Sequence, residues 1–413
     1  MAEFRPFKAV RPLPEQAHLV ASRPYDVLSS LEARREAEGN PLSFLRVIKP
    51  EIELPISIDP YSDEVYEKGA EVYNNFKKDD VLVQDSSKNF YIYRLTMEGR
   101  TQTGLVGCCH FEEYFEGKIK KHELTRVAKE EDRVKHVDTL NANAEPVFFS
   151  YRANQEIDSM LENLVLEKPV YDFVAADQIR HELWIIDNAS LVSKLEKLFS
   201  DIPYLYVADG HHRTAAAARI GERRKKQNPD HTGDEEYNLF LAVLFSDQEL
   251  EIFDYNRVIK DLNGLSPTEF IEKISGNFSL LQKSEKAIKP LRKGDFSVYL
   301  DKNWYLFSPL LREFENDPVK NLDVSYLSDY IFEPILGISD QRTDDRIDFV
   351  GGIRGLEELA RRVDSGDMAV AFALFPVSMD ELLNVADEGK IMPPKSTWFE
   401  PKLRSGLFVH ELS

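Results

Sequence analysis

The sequence has very few cysteines. Only two occur among 413 residues, and they are adjacent, Cys108 and Cys109. Neighbouring residues of a strand point to opposite faces, so we do not expect a disulfide between them. Cysteine usage this low is typical of a reducing compartment. Cys108-Cys109-His110 is better explained as a buried strand than as a metal site, because consecutive strand residues do not converge on one ion. We predict no metal-binding cluster.

Long apolar runs are also missing. No run approaches 18 apolar residues, the length that spans a bilayer, and the first six residues contain no apolar signal core. These absences predict a cytoplasmic protein without a membrane partner.

Positive charge is in deficit. The chain has 52 basic against 72 acidic residues, a formal net charge of −20. Polymeric nucleic acid and anionic membranes require a basic face, so we expect neither as a partner. A small anionic ligand is still compatible with this charge, because a local basic pocket can form inside an acidic shell.

The remaining composition, 42% hydrophobic and 30% charged, is that of an ordinary globular protein. Strand-like and helix-like patterns alternate, which predicts a mixed α/β (α+β) fold. The turn-rich segment 263–267 divides the chain into regions 1–262 and 263–413, the second an α/β lobe whose extended tail returns to the first. Predicted helices lie at 31–38, 63–78, 122–138, 155–165, 189–200, 323–332, 355–364 and 379–387. Predicted strands lie at 90–97, 101–111, 147–152, 170–173, 183–186, 204–208, 296–300, 304–307 and 369–375, with a hairpin of 239–245 and 250–254.

The most informative segment is a strand–turn–helix junction around Asp209-Gly210-His211-His212-Arg213. The apolar run 204–208 predicts a strand, and Thr214 followed by four alanines predicts a helix that begins near His211. The free amides and the dipole of such a helix end attract anions. Gly210 allows the backbone to approach a ligand closely.

Three residues of the first helical turn, His211, His212 and Arg213, are cationic or can become so. The helix dipole disfavours cations there by roughly 0.3–1 kcal/mol each. A bound phosphate resolves this conflict, with Arg213 as a bidentate donor. The alternative is that Asp209 only caps the helix while the histidines bond to carbonyl groups.

The Gly-His-Arg helix start, at Gly210–Arg213, resembles the phosphate-binding motif of the ParB/sulfiredoxin-like superfamily, which includes partition proteins, sulfiredoxins and free-serine kinases. Over nearly its whole length the chain is similar to the domain-of-unknown-function family ten-fifteen. That family carries no settled activity. The resemblance implies a ParB/sulfiredoxin-like core with an inserted mixed sheet, in which residues 210–214 bind phosphate or nucleotide. The matching segments are 23–27, 39–45, 129–133, 209–213 and 392–397.

Segment 118–138 carries seven basic and five acidic residues, a positive island in an acidic chain. On one helix face Arg126, Lys129 and Arg133 would bind substrate, with Glu130 or Asp132 as a base. A solvated helix with internal ion pairs would look the same.

Two further segments offer polar side chains for an anionic substrate. The first is the proline-stiffened loop that carries Arg23, Tyr25 and Asp26. The second is Lys395-Ser396-Thr397, whose alternative role is to let the apolar tail dock.

Together these features predict a phosphoryl-transfer enzyme for a small polar metabolite. The resemblance to free-serine kinases makes serine or phosphoserine the most concrete substrate, in the kinase or the phosphatase direction. Asp209, His211, Glu130 and Asp132 are the candidate catalytic residues, with Mg²⁺ and ATP or ADP as expected cofactors. A nucleotide-binding regulatory or partner-binding module without turnover is the alternative. The oligomeric state stays open, with a homodimer among the alternatives.

Overall fold

The computed structural model describes residues 3–413 and confirms the mixed α/β class. The chain forms two compact units, one of residues up to Leu250 together with Pro401–Ser413, and one of Glu251–Glu400. The predicted boundary after residue 262 therefore differs from the structural one. Residues 263–267 are not a linker, because Ser266 accepts a hydrogen bond from the amide of Glu269 and caps a helix inside the second unit.

Between residues 3 and 250 the first unit contains twelve strands and nine α-helices. The strands are β1 (Phe4–Arg5), β2 (Val10–Pro12), β3 (Leu82–Gln84), β4 (Phe90–Met97), β5 (Arg100–His110), β6 (Ile119–Lys120), β7 (Ala142–Asn143), β8 (Val147–Tyr151), β9 (Tyr171–Val174), β10 (Arg180–Ile186), β11 (Leu205–Asp209) and β12 (Leu239–Ser246). The helices are α1 (Ala17–Val20), α2 (Ser30–Ala37), α3 (Leu45–Ile48), α4 (Asp63–Lys78), α5 (Glu112–Phe115), α6 (Val127–Leu140), α7 (Gln155–Leu164), α8 (Ala189–Ser200) and α9 (His211–Gln227).

A nine-stranded sheet organises this unit, in the order β6-β11-β8-β12-β5-β4-β10-β9, with β1 added beside β5. The long central strand β5 is buried over most of its length and contains Cys108 and Cys109, as predicted. The strand β11, which leads into the phosphate-binding candidate, lies between β6 and β8 near one edge of the sheet.

The helices α6 and α9 pack against each other through Val134, Ala216 and Ile220. The first of them begins five residues later than predicted, at Val127, because Arg126 has an extended backbone with φ −92° and ψ 125°. This packing places the positive island beside the start of α9.

The second unit contains β13 (Ile252–Phe253), β14 (Tyr255–Ile259), β15 (Phe278–Ser284), β16 (Phe296–Leu300), β17 (Asn303–Pro309), β18 (Ile347–Gly351), β19 (Val370–Leu374) and β20 (Trp398–Phe399). Its helices are α10 (Pro267–Ser275), α11 (Asp323–Leu327), α12 (Gly355–Asp364) and α13 (Met379–Asp387), and a π-helical turn, Ser328–Phe332, continues α11. An antiparallel six-stranded sheet has the order β15-β17-β16-β19-β14-β18. The predicted hairpin of 239–245 and 250–254 is wrong, because β13 pairs with β20 and β12 pairs with β5 and β8.

The last segment of the chain, Pro401–Ser413, belongs to the first unit and ends with the short strand β21 (His410–Glu411), which pairs with β7. Val409 pairs with Val10, and Ser405 pairs with Ser22. Backbone pairing and buried side chains together hold this segment in the first unit. No helix among residues 3–413 is long and apolar enough to cross a membrane.

Candidate functional site

The candidate site is built around the turn between β11 and α9. Gly210 has a φ of +88°, a left-handed conformation that glycine adopts without strain, and it allows the helix to begin at His211. No side chain caps the start of α9, and its first turn contains no acidic residue. Helix geometry leaves the first amides without intrahelical partners, so this end of α9 is suited to an anion.

The guanidinium of Arg213 lies directly against this turn. A Cβ atom placed on Gly210 would lie 3.1–3.2 Å from Nε, Cζ and Nη2 of Arg213, so the contact needs glycine. The Nη1 group donates to the carbonyl of Pro146 at 2.7 Å, and Nη2 donates to Oδ2 of Asp209 at 3.1 Å. The Nε group is buried and has no acceptor. Arg213 is therefore fixed in the turn and retains one unused donor.

The carboxylate of Asp209 is shared between two cations. Its Oδ1 lies 3.3 Å from Nζ of Lys402, and its Oδ2 accepts from Arg213. Burial alone would raise the pKa of Asp209, but Lys402 and Arg213 lower it to about 2. Such a carboxylate stays ionised at neutral pH and is a weak base. Its chemistry fits charge balance or metal binding better than proton abstraction.

His211 and His212 have different environments. His211 is buried, its Nε2 atom has no hydrogen-bond partner, and burial lowers its pKa well below 6.5. The ring of His122 meets it edge-on, with centroids 4.5 Å apart. His212 instead accepts at Nε2 from the amide of Arg126, 2.9 Å away. His211 is thus a neutral imidazole with an unused nitrogen, whereas His212 fixes the start of α6.

Thr214 has a structural contact where the sequence suggested a phosphate ligand. Its side chain is fully buried, and its hydroxyl donates to the carbonyl of Gly210 at 3.0 Å. The contact places this hydroxyl in the first helical turn and commits its proton to the backbone.

A second buried ionic group adjoins Arg213. Glu145 accepts from the amide of Tyr25 at 3.2 Å and from Nη1 of Arg133 at 3.4 Å. The guanidinium of Arg133 stacks 3.9 Å from the centroid of the Tyr25 ring. Asp26 reaches to 3.8 Å from Nη2 of Arg213. Tyr25, Asp26 and Arg133 therefore lie beside the α9 junction, as a substrate-binding role requires.

A small cavity of about 20 Å³ lies between Arg133, Glu145 and Arg213. This volume is enough for one water molecule. Burial raises the pKa of Glu145, while the charges of Arg213 and Arg133 act in the opposite direction.

The two acids predicted as bases in α6 are held in ion pairs. Glu130 accepts from Nη1 of Arg219 at 2.7 Å and from the hydroxyl of Thr125 at 2.8 Å. Asp132 is buried and accepts from the hydroxyl of Tyr66 at 2.9 Å and from Arg133. These contacts occupy the oxygens that a base would need, so a structural role explains both residues.

The other predicted substrate ligands of the first unit have partners away from the turn or face solvent. Arg23 pairs with Glu36 of α2, and Lys129 donates to the hydroxyl of Tyr61 at 3.0 Å. The side chain of Arg126 is exposed.

Lys395, Ser396 and Thr397 belong to the second unit, where they follow Pro394 and lead into β20. Nζ of Lys395 lies 5.8 Å from the ring centroid of Tyr255, and the hydroxyl of Ser396 donates to the carbonyl of Pro393 at 2.7 Å.

Three residues of the site were not among the predicted ligands, namely His122, Glu145 and Lys402. Each is distant in sequence from the turn it serves; Lys402 lies 193 positions from Asp209. At Glu145 the sequence offered one local indication of a role, an acidic residue between apolar residues in the segment that leads into β8. Long-range contacts of this kind leave no periodic trace in the sequence.

No group of three or more His, Cys, Asp or Glu side chains among residues 3–413 has an arrangement that could hold a metal ion by itself. Mg²⁺ at phosphate sites is commonly held by one or two carboxylates together with substrate oxygens. Asp209 and Asp26, which both lie within 4 Å of Arg213, offer two such carboxylates.

The sequence model of a family described as a protein of unknown function, DUF1015, matches residues 4–325, which confirms the family resemblance. The segment 392–397 lies outside the matched residues. No curated protein matches the chain.

Several solved structures show weak likeness. A free serine kinase in complex with AMP is 12% identical, with 70% of this chain and 89% of that chain covered and a TM-score of 0.36. A conserved hypothetical protein from Pyrococcus furiosus is 15% identical, with 70% of this chain and 91% of that chain covered and a TM-score of 0.33. SbnI with a C-terminal truncation, from Staphylococcus aureus, is 11% identical, with 73% of this chain and 85% of that chain covered and a TM-score of 0.37. TM-scores this low support no conclusion about function.

Proposed function

Since the chain belongs to DUF1015, a family of unknown function, we propose from the site itself that it is a phosphoryl-transfer enzyme for a small polar metabolite. One observation carries this proposal. A buried arginine lies against an uncapped helix start that has no acidic residue in its first turn. Amides and a guanidinium that converge in this way suit the oxygens of a phosphate group.

In this proposal the amides after Gly210 bind the phosphate, and the free Nε of Arg213 adds a charge-assisted hydrogen bond. Lys402, 3.3 Å from Asp209, supplies a second cation to the same turn. Phosphoryl transfer depends mainly on positioning and on neutralising charge, so fixed cations matter more than a strong base.

Free serine or phosphoserine is the substrate that we propose, with ATP or ADP as the partner nucleotide. In the kinase direction the serine hydroxyl oxygen forms a bond to the terminal phosphorus, the bond from that phosphorus to the nucleotide oxygen breaks, and the hydroxyl proton is taken up. The neutral His211 offers an unused nitrogen for this proton. In the phosphatase direction a water oxygen forms the bond to the phosphorus of phosphoserine, the bond from that phosphorus to the serine oxygen breaks, and a proton from the water passes to the serine oxygen.

When bound, Mg²⁺ would neutralise part of the negative charge on the phosphate oxygens. Asp209 and Asp26 are the residues that would hold it. The low pKa of Asp209 keeps its carboxylate ionised, as a ligand of Mg²⁺ must be.

A nucleotide-binding regulatory module without turnover is the second candidate. The ion pairs of Glu130 and Asp132, together with the weak basicity of Asp209, favour it, because they leave the site without a strongly basic carboxylate. Nucleotide would then bind at α9 without loss of its phosphate.

Phosphorus NMR of the full chain with Mg²⁺ tests these candidates, with serine plus ATP or ADP in one sample and phosphoserine in another. We expect phosphoserine to form or to release phosphate. The variant Arg213→Lys, which keeps the charge but loses the guanidinium fork, should slow the reaction at least about tenfold. Arg219→Lys is the matched control on the same helix and should react normally, because Arg219 pairs with Glu130 and Glu131.

Broadened nucleotide resonances without turnover would favour the regulatory module. Wild-type rates in Arg213→Lys would contradict the assignment of the α9 turn.

A further inference from the structure

The second unit contains a buried arginine without a negatively charged partner. Arg257 lies in β14, and its side chain is 1% exposed. Its Nη1 group donates to the carbonyl of Tyr255, its Nη2 group donates to the carbonyl of Pro394 at 3.2 Å, and its Nε has no acceptor. Two neutral carbonyls therefore provide all its hydrogen bonds.

The other buried arginines differ from Arg257 in this respect. Each pairs with a carboxylate: Arg133 with Asp132 and Glu145, Arg213 with Asp209, and Arg404 with Asp177. Among residues 3–413, no carboxylate lies within 4.0 Å of the guanidinium of Arg257. Burial lowers the pKa of Arg257 to about 9, but an arginine side chain keeps its proton at neutral pH. A buried charge without a counter-charge is unfavourable, so this position invites an anion.

A second cation lies close to the same backbone. Tyr255, whose carbonyl accepts from Arg257, has its ring 5.8 Å from Nζ of Lys395. Lys395 follows Pro394, the other carbonyl partner of Arg257, and its φ of +55° marks a tight turn. Lys395 therefore lies near the ring of the same tyrosine whose carbonyl contacts the buried guanidinium.

Two further aromatic rings lie beside Arg257 and Tyr255. The ring of Phe349 lies 5.4 Å from the guanidinium of Arg257, and Trp398 meets Tyr255 edge-on at 5.2 Å. The indole of Trp398 lies 3.0–3.1 Å from where a Cβ on Gly351 would be, so the ring is packed tightly against β18. Burial of the guanidinium beside these rings strengthens an ionic contact made there, whereas Lys395 is exposed at the surface.

We propose that Arg257 and Lys395 bind a carboxylate or phosphate group of a small molecule within the second unit. The planar guanidinium fork matches both groups, and an oxyanion that replaces the carbonyl of Pro394 would also reach the free Nε. All the residues of this site lie in Glu251–Glu400, whereas α9 belongs to the other unit.

Thermal unfolding of the full chain in sodium phosphate and in sodium acetate tests this site, with sodium chloride of equal ionic strength as reference. All proteins in this experiment carry Arg213→Lys, so that phosphate bound at α9 contributes less to the unfolding midpoint. We expect a saturable rise of the unfolding midpoint by about 3 °C with at least one probe. The probe with the larger effect identifies phosphate or carboxylate as the preferred group.

Lys395→Ala should lose more than half of this rise. Lys390→Ala is the matched control, since Lys390 pairs with Asp317 and Glu388 in the same unit, and it should keep the rise. If Arg257→Met folds, it should show no rise of the unfolding midpoint. If it does not fold, the comparison of Lys395→Ala with Lys390→Ala decides the test. The proposal would be overturned by an equal rise of the unfolding midpoint in the two lysine variants, or by no rise in the Arg213→Lys protein from which they are made.

Discussion

Lys402 and Asp209 form an ion pair, with Nζ 3.3 Å from Oδ1, although 193 positions separate them in the chain. The pair connects the C-terminal segment to the turn that begins α9. Because Arg213 occupies the other oxygen of Asp209, the carboxylate lies between two cations. A phosphate at this turn would lie beside both of these cations.

Removing Lys402 should weaken the site in two measurable ways. In Lys402→Ala we expect phosphate or nucleotide to bind about tenfold more weakly in calorimetry, because one of the two cations is lost. The pKa of Asp209 should rise above about 2, as measured by carbon NMR of the carboxyl group. Lys77→Ala is the control, since Lys77 contacts the same segment through Glu411 and should leave both quantities unchanged.

The same pair predicts an acid dependence of stability. The pKa of Asp209 in the folded protein, about 2, lies below its ordinary value of 3.8, so its ionisation stabilises the fold above pH 3.8. This contribution is lost as the pH falls toward 2. Lys402→Ala should move the folded-state pKa of Asp209 toward 3.8, so the loss should be smaller and should be complete at a higher pH. Coincident acid-unfolding curves for the two proteins would contradict this.

Gly210→Ala should affect both stability and binding. The left-handed φ strains any residue other than glycine by about 1 kcal/mol, and the new Cβ would press against Arg213. Gly39→Ala is the matched control, because Gly39 has a φ of +73° but nothing within 4 Å of the added atom. We expect the larger loss of unfolding free energy in urea for Gly210→Ala, because the backbone strain is shared but only its added atom presses on a side chain. Only Gly210→Ala should lose phosphate affinity, and equal affinities would show that the contact with Arg213 is unimportant.

Buried neutral histidines predict a loss of stability in mild acid. Burial lowers the pKa of His122 and of His136 to about 4, below their ordinary value of 6.5. The unfolded chain therefore binds protons first, so stability is complete above pH 6.5 and falls as the pH drops through about 4. Each residue contributes about 3 kcal/mol to this fall. Urea unfolding at pH 7, 6, 5 and 4 measures it, and a flat profile would exclude neutral burial of these rings.

The local parts of the site were predictable from the sequence. The strand before Asp209 and the helix from His211 are both confirmed, because an apolar run, a glycine and an alanine-rich segment determine structure over a few residues. Tyr25 and Arg133 were predicted as substrate ligands from their own segments, but no local pattern indicated that both lie beside Arg213.

Contacts between distant segments were not predictable. Glu130 looked like a base, but its partner Arg219 comes from another helix, and this pairing depends on how α6 and α9 pack. The hairpin around residue 250 failed for the same reason, since β13 pairs with β20 near the end of the second unit. The local sequence pattern indicates whether a segment forms a helix or a strand. Which other elements it contacts depends on burial and on pairing between distant segments.

The position of Pro401–Ser413 has a consequence for biosynthesis. This segment completes the first unit, yet the ribosome makes it only after all of Glu251–Glu400. The nascent first unit must therefore wait with the backbone of Val10 and of β7 unpaired, because their partners, Val409 and β21, have not yet been translated. A product terminated before Lys402 would also lack one of the two cations at Asp209, so premature release would yield a chain that is both incompletely folded and impaired at its candidate site.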